Sequence, residues 1–386
     1  MQLSVIILNY KVRYFLELCV LSVQKALEGM DAEIIVVDNN SSDDSCAMMK
    51  SHFPNVKLIE NKENVGFPKG NNIGVAHAKG EYICILNPDT VVAEDTFRKI
   101  LDFAKAQIDL GIVGCKLIDG TGKFLPESKR GVPTPWVAFT KLFGLYNLFP
   151  KTSAFNKYYA QHLSPNETGK VAILVGAFMV LKRELYIEIG GFDERYFMYG
   201  EDVDLSYMAL LKGKNNFYFH DTTVIHYKGE STVKDGTYMI RFQKAMHFFY
   251  KKHFNGSVFF DVFMKVGIVL ISIIKMFQGK QKPKTLPDSY CLFTSSDQLN
   301  SLMEKLQNRL TLKVESAEMA KLATNKKIEF IIDLETITFK QAINILEEYH
   351  KPNHTFKLWV PKTDFIIGSN SSNDRGEVIL LNEFGK

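Results

Sequence analysis

Three carboxylates stand where an α/β cleft would expose them. Asp38 closes the apolar run Glu33-Ile-Ile-Val-Val-Asp38, and Asp89 follows the run Tyr82–Leu86 in the turn Asn87-Pro88-Asp89. Asp202 sits in an acid-rich stretch that runs from Asp193-Glu194 to Gly200-Glu201-Asp202-Val203-Asp204. A carboxylate at a strand tip can accept hydrogen bonds from a base or ribose, or hold a divalent cation on a diphosphate. Taken singly, Asp38 reads more readily as a helix cap and Asn-Pro-Asp as a polar turn. The third stretch resists that treatment. One or two acids suffice to compensate a helix dipole, whereas five lie between Asp193 and Asp204, beside Gly190-Gly191. Aromatic neighbours of paired carboxylates suit a general base in a sugar cleft. The glycine-spaced loop Asn64-Val-Gly66 to Gly70-Asn71-Asn72-Ile-Gly74 permits close backbone approach to a ligand. It has neither dinucleotide-fingerprint nor Walker A spacing, which argues against a Rossmann oxidoreductase or P-loop NTPase. His226, after Val224-Ile225, becomes a metal ligand only if the fold brings it to Asp89.

The elements that must position these residues alternate. Short β-branched runs at 3–8, 33–38, 56–60 and 82–86 are separated by helix-like stretches near 12–27, 43–52, 70–78 and 94–106. Strands alternating with helices predict βαβ units and a parallel sheet covered on both faces. Prolines loosen the pattern between Gly120 and Lys170, where one aromatic helix is expected near 136–146. Strands at 171–175 and 176–181 follow, then a helix from Glu201 with Val203, Tyr207, Leu210 and Leu211 on one apolar face, and a helix over 238–253. The segment 257–277 is strongly apolar but carries Asp261, Lys265 and Lys275 and is flanked by lysines. It reads as an amphipathic helix, lying in a membrane interface or packed on the protein, rather than as a spanning one. Residues 288–386 alternate again, with helices expected near 297–307, 317–322 and 339–349. The expected division is 1–255, a helix and linker over 256–287, and a small α/β unit over 288–386.

Composition narrows the classes. The 386 residues are 46% hydrophobic and 23% charged, which fits a globular chain, and a net charge of +4 gives no field for nucleic acid. The five cysteines have no metal-ligand or redox spacing and read as buried residues of a reducing compartment. With no secretory n-region at the start, a cytoplasmic location is expected, with peripheral contact at the inner membrane face.

In this order, the motifs resemble the inverting family 2 glycosyltransferases of GT-A-type fold, over about residues 3–253. The resemblance rests on Ser4-Val-Ile-Ile-Leu-Asn-Tyr10, Val37-Asp38-Asn39, Asn64-Val-Gly-Phe, Gly70-Asn-Asn-Ile-Gly74, Leu86-Asn-Pro-Asp-Thr90, Gly176-Ala-Phe-Met179, Gly190-Gly-Phe-Asp193 and Gly200-Glu-Asp-Val-Asp204. The Asn-Pro-Asp-Thr form is similar to the rhamnosyltransferase-like subgroup. The resemblance implies a Rossmann-like, mostly parallel nucleotide-sugar-binding sheet. It places Tyr10, Asp38, Asn64, Gly66, Asn71, Asn87 and Asp89 at the nucleotide-sugar donor and makes Asp202 the catalytic base, with Glu201 supporting the acceptor. Asp89 and His226 would hold Mg2+ or Mn2+. Asn87 stands where the family often has a first acid, so the site carries less charge toward a cation. The implied reaction transfers a sugar, rhamnose being one candidate, from a nucleotide diphosphate to a saccharide or lipid-linked saccharide. The competing reading is a catalytically silent nucleotide-sugar-binding protein on the same fold. A nucleotide-sugar pyrophosphorylase would need a basic glycine-rich N-terminal loop, which Asn9-Tyr-Lys-Val-Arg13 is not.

Overall fold

The computed structural model describes residues 1–134, 157–228, 236–254, 287–294, 326–360 and 365–371, with 314–316, 376–380 and a few isolated positions. The expected aromatic helix near 136–146, the helices near 297–307 and 317–322, and the segment 257–277 lie outside or mostly outside them. Among the described residues, no helix is long and apolar enough to cross a membrane.

The chain is α/β and builds two sheets. The first is assembled from β1 (Leu3–Asn9), β2 (Ala32–Asp38), β3 (Lys57–Glu60), β4 (Tyr82–Leu86), β5 (Thr90–Val91), β6 (Leu110–Ile118), β7 (Gly169–Val171), β8 (Phe178–Lys182) and β9 (Asn215–His226). Its order is β3-β2-β1-β4-β8-β6-β9-β5, with β7 on β9. The four strands β3, β2, β1 and β4 are parallel, while β8 runs antiparallel to both β4 and β6. β1 is buried at every residue, as a central parallel strand with both faces covered must be. The helices α1 (Arg13–Ala26), α2 (Ser45–His52), α3 (Phe67–Ala76) and α4 (Thr96–Lys105) return the chain between these strands, close to the expected bounds.

Two further helices belong to the same unit after β8: α5 (Arg183–Glu188) and α6 (Glu201–Leu211). α7 (Gly236–His253) then packs through Met246, Phe249 and Tyr250 against Val203 of α6. The apolar face expected for α6 is corrected here. Leu211 is 60% exposed, and the helix is instead buried on two sides, by Leu205 and Ala209 on the sheet and by Val203 toward α7. A helix held between two layers does not show a single stripe.

The second sheet has order β11-β10-β12-β13-β14-β15, from β10 (Ser289–Phe293), β11 (Val314–Ser316), β12 (Ile328–Asp333), β13 (His354–Val360), β14 (Phe365–Gly368) and β15 (Glu377–Leu380). One helix, α8 (Phe339–Tyr349), has a complete capping box between Thr338 and Gln341. This sheet shares a core with the first: Phe15, Leu18, Ile225 and Tyr227 lie in one cluster with Phe330, Ile332, Phe339 and Leu358. Polar contacts cross the same boundary. Glu94 accepts from the backbone N–H groups of Phe339 and Lys340 at 2.7 and 2.9 Å, and Lys116 pairs with Glu347 at 2.8 Å.

Candidate active site

β1, β2 and β4 end side by side, and the chain reverses its direction of sheet growth between β1 and β4. A crevice at such a switch point, beyond the carboxyl ends, is where open α/β sheets take ligands. Asn9 and Asp38 end β1 and β2, and Asn87 directly follows β4. Asn9 Nδ2 donates to Asp38 Oδ1 at 2.7 Å, and Ser41 N donates to Asp38 Oδ2 at 2.8 Å. Asp38 therefore orders the turn after β2 rather than capping α2, whose start is held by Asp43 and Ser45. Tyr10, half-buried beside this turn, carries Lys11 over its ring at 5.1 Å.

The glycines of the loop Asn64–Gly74 pack closely within the fold. Gly66 has φ +85°, and a Cβ there would lie 2.6 Å from the Phe197 carbonyl. Gly70 and Gly74 let α3 settle on Leu8 and Ile6. These glycines permit close approaches to Phe197, Leu8 and Ile6. Asn64 Oδ1 accepts from Gly66 N at 3.0 Å and from Asn39 Nδ2 at 3.3 Å. Asn71 is buried and donates to the Phe67 carbonyl at 2.9 Å. Asn72, by contrast, ties α3 to the Gly190-Gly191-Phe192 turn. Its Oδ1 accepts from Tyr186 Oη and Phe192 N, and its Nδ2 donates to the Phe192 carbonyl.

At the tip of β4, Asn87, Asp89 and His226 converge. Asp89 Oδ1 lies 3.4 Å from His226 Nε2, and Asn87 Nδ2 lies 3.3 Å from that nitrogen. Antiparallel pairing of β5 with the end of β9 brings the imidazole there, and Tyr227 N fixes the Asp89 carbonyl at 3.0 Å. Asn87 Oδ1 and His226 Nδ1 are buried without a hydrogen-bond partner among the described residues. No group of three His, Cys, Asp or Glu side chains with metal-ligand geometry occurs among those residues. The convergent set is one carboxylate, one amide and one imidazole.

The acid-rich stretch divides into two kinds of carboxylate. Asp204 accepts from Lys252 at 2.7 Å and His253 at 2.6 Å, and Lys252 also bonds Asp193 at 2.8 Å. Asp193 takes Arg195 through two nitrogens, and those hydrogen bonds hold its carboxyl far below the usual range. These two acids fasten α7 to the catalytic unit. Glu194 accepts from Asn72 at 3.0 Å. Glu201 and Asp202 face inward at the start of α6, next to the left-handed Gly200.

Asp202 meets a residue that sequence reasoning missed. Arg130 donates to its Oδ2 at 2.6 Å and to the Leu174 carbonyl at 3.0 Å, with only 15% and 13% of the paired side chains exposed. Gly176 N donates to the same Oδ2 at 3.2 Å, and Val203 N to Oδ1 at 2.8 Å. Glu201, buried beside this pair with its Oε2 unpartnered among the described residues, is pushed up to about 8, first by burial and then by the Asp202 charge. The sole sequence signal for Arg130 was two adjacent bases, Lys129-Arg130, in a stretch bracketed by Pro126 and Pro133.

Gly176-Ala177 joins the two halves. Asn87 N donates to the Ala177 carbonyl at 3.0 Å, and Gly176 N holds Asp202. The Asn87–Asp89–His226 set and the Asp202–Arg130 pair thus flank one dipeptide at the head of β8. A fixed base on one side and polar groups for a leaving group on the other is an arrangement that can carry out group transfer.

Comparison with known proteins agrees. Residues 4–190 match the family model described as glycosyl transferase family 2. The chain is thus an enzyme of glycosyltransferase type, similar over this region to family 2 members and to rhamnosyltransferases. It is 26% identical over 266 residues to the N-acetylglucosaminyl-diphospho-decaprenol L-rhamnosyltransferase of Mycobacterium tuberculosis, covering 66% of this chain and 85% of the relative. It is also 26% identical over 222 residues to rhamnosyltransferase WbbL of Escherichia coli, covering 53% and 78%. Among solved structures, the mannosyltransferase PcManGT from Pyrobaculum calidifontis in complex with GDP-Man and Mn2+ aligns with a TM-score of 0.47 at 17% identity, over 73% of this chain and 76% of that one.

Proposed function

We propose that the chain transfers a sugar, rhamnose by analogy with its relatives, from a nucleotide diphosphate to a hydroxyl of a lipid-linked saccharide, with inversion at the anomeric carbon. The observation that carries this reading is the pairing of Asp202 and the Asn87–Asp89–His226 set across Gly176-Ala177. Asp202 takes the proton of the acceptor hydroxyl. Arg130 and the Gly176 N–H fix its orientation, and Glu201, neutral below about pH 8, keeps a second negative charge away from it. The donor lies over the strand tips, its base and ribose near Tyr10 and Asp38 and its diphosphate near Asp89.

The unpartnered Asn87 Oδ1, the Asp89 carboxylate and the His226 imidazole form an oxygen- and nitrogen-bearing set that fits Mg2+ or Mn2+. A cation held there would offset charge on the departing diphosphate. The lipid-linked acceptor rests on the activity of the mycobacterial relative. The test is Asp202→Asn, which keeps shape and removes basicity. Turnover is expected to fall by ~10²–10⁴, with nucleotide stabilisation against heat unchanged. Near-normal turnover in the folded variant would remove Asp202 from the reaction.

A further inference from the structure

A cavity of about 590 Å³, lined in part by Arg130, falls within the ~300–1,000 Å³ typical of small-molecule sites. Its walls are largely apolar, with Val132, Trp136, Val171 and Leu210 among them, and Lys157, Lys170 and His162 also line it. The walls are built rather than incidental. Lys129 Nζ, buried, donates to the carbonyls of Tyr159, Ala160 and Leu163 at 3.1, 3.1 and 2.8 Å, anchoring the 157–163 segment. Gly131 N donates to the Tyr158 carbonyl, and Asn216 Nδ2 bridges the carbonyls of Ala172 and Ser206. Lys157 and Lys170 are exposed and have no carboxylate partner among the described residues. An apolar cavity with unpaired cations matches an amphiphile that has an anionic head.

Arg130 belongs both to this cavity and to the Asp202 pair. Leu210, also in the cavity lining, stands eight residues along α6 from Asp202, about 12 Å at helical rise. A sugar and its diphosphate can span that length, leaving the sugar hydroxyl at Asp202. We propose that this cavity binds the prenyl-diphosphate portion of the lipid-linked acceptor, an inference that rests on the transfer reaction proposed above. The lysines and His162 meet the diphosphate, and the tail leaves past Trp136, which is 50% exposed.

The probe is farnesyl diphosphate, added to the full chain and read by tryptophan emission. Trp136 lines the cavity, and the other tryptophan, Trp359, is buried in the second sheet. A saturable change is expected, lost in Trp136→Phe and weakened at least tenfold in Lys157→Glu/Lys170→Glu. Inorganic pyrophosphate should produce no change, and UDP or dTDP should not displace the probe. Absence of saturable binding would overturn the proposal, as would displacement by nucleotide or an equal response to phosphatidylglycerol vesicles at matched phosphate. Nucleotide-dependent thermal stabilisation, measured on the same preparation, tests the donor side separately. Its retention with no farnesyl binding would sink the cavity assignment alone; its loss would count against the transfer reaction.

Discussion

The two sheets place a polar residue at the same topological position and treat it oppositely. In the first, chain growth reverses between β1 and β4; in the second it reverses between β10 and β12. Asn87 and Asp89 follow β4, and Asp333 ends β12. Asp333 Oδ2 accepts from Thr294 at 2.7 Å and Thr336 at 3.1 Å, while Oδ1 accepts from Glu335 N at 3.0 Å. The N-terminus of α8, the next anion-attracting feature, is taken by Glu94 of the first unit. Around β4, by contrast, Asn9 Oδ1, Asn87 Oδ1 and His226 Nδ1 are buried and unpartnered among the described residues. Buried polar groups are ordinarily satisfied; acceptors at the first switch point stay open while those of Asp333 are filled, although Trp359 Nε1, opposite Asp333 on β13, is also without a partner among the described residues. A strand-tip acid is therefore a weak sign of a site; unsatisfied neighbours are the stronger one.

Several substitutions would break or sharpen this contrast. The largest effect is expected for Arg130→Ala, which strands Asp202 as a buried charge and should cost ~3–5 kcal/mol of stability, together with most of the turnover. Chemical denaturation at pH 7 measures the first and initial rates the second. Asp333→Ala should destabilise by ~1–3 kcal/mol, since it leaves Thr294 and Thr336 without their acceptor, yet nucleotide affinity should not move. A nucleotide-binding defect in that variant would mean that the second switch point also serves the ligand. Glu94→Ala removes the acceptor for two N–H groups at the start of α8 and should cost ~1 kcal/mol, read as a lower melting temperature.

Glu201→Gln tests the electrostatics of the first site through pH. The folded-state pKa is raised from 4.5 to about 8, so the native protein binds this proton more tightly than the unfolded chain does. That contribution is fully present below about pH 4.5 and is lost as pH rises through 8. The variant should therefore lose less stability than the parent between pH 5 and pH 9. Parallel denaturation curves across that range would show Glu201 to be ionised in the fold.

Much of this was legible in the chain. The β-branched runs gave β1, β2, β4 and their helices, because period and punctuation are local properties. Asp38, Asp89 and Asp202 stand out in the sequence because strand ends and helix starts can be read from the same pattern. What escaped depends on contacts across long separations. Arg130 lies 72 residues before Asp202, and nothing in its spacing marks it. The acids Asp193 and Asp204 looked like part of one cluster until Lys252 and His253, on α7, claimed them. Gly66 looked like a ligand-facing glycine until Phe197 filled the space beside it.

The central claim is that the first switch point, at Asp89, is where the nucleotide diphosphate binds. Calorimetric titration of UDP, dTDP and GDP with Mn2+ tests it most directly, on the parent chain, Asp89→Ala and Asp333→Ala. At least one nucleotide should bind the parent and Asp333→Ala alike and bind Asp89→Ala at least ~10-fold more weakly, the scale of losing a metal-site partner. Undiminished affinity in a folded Asp89→Ala chain would contradict the account.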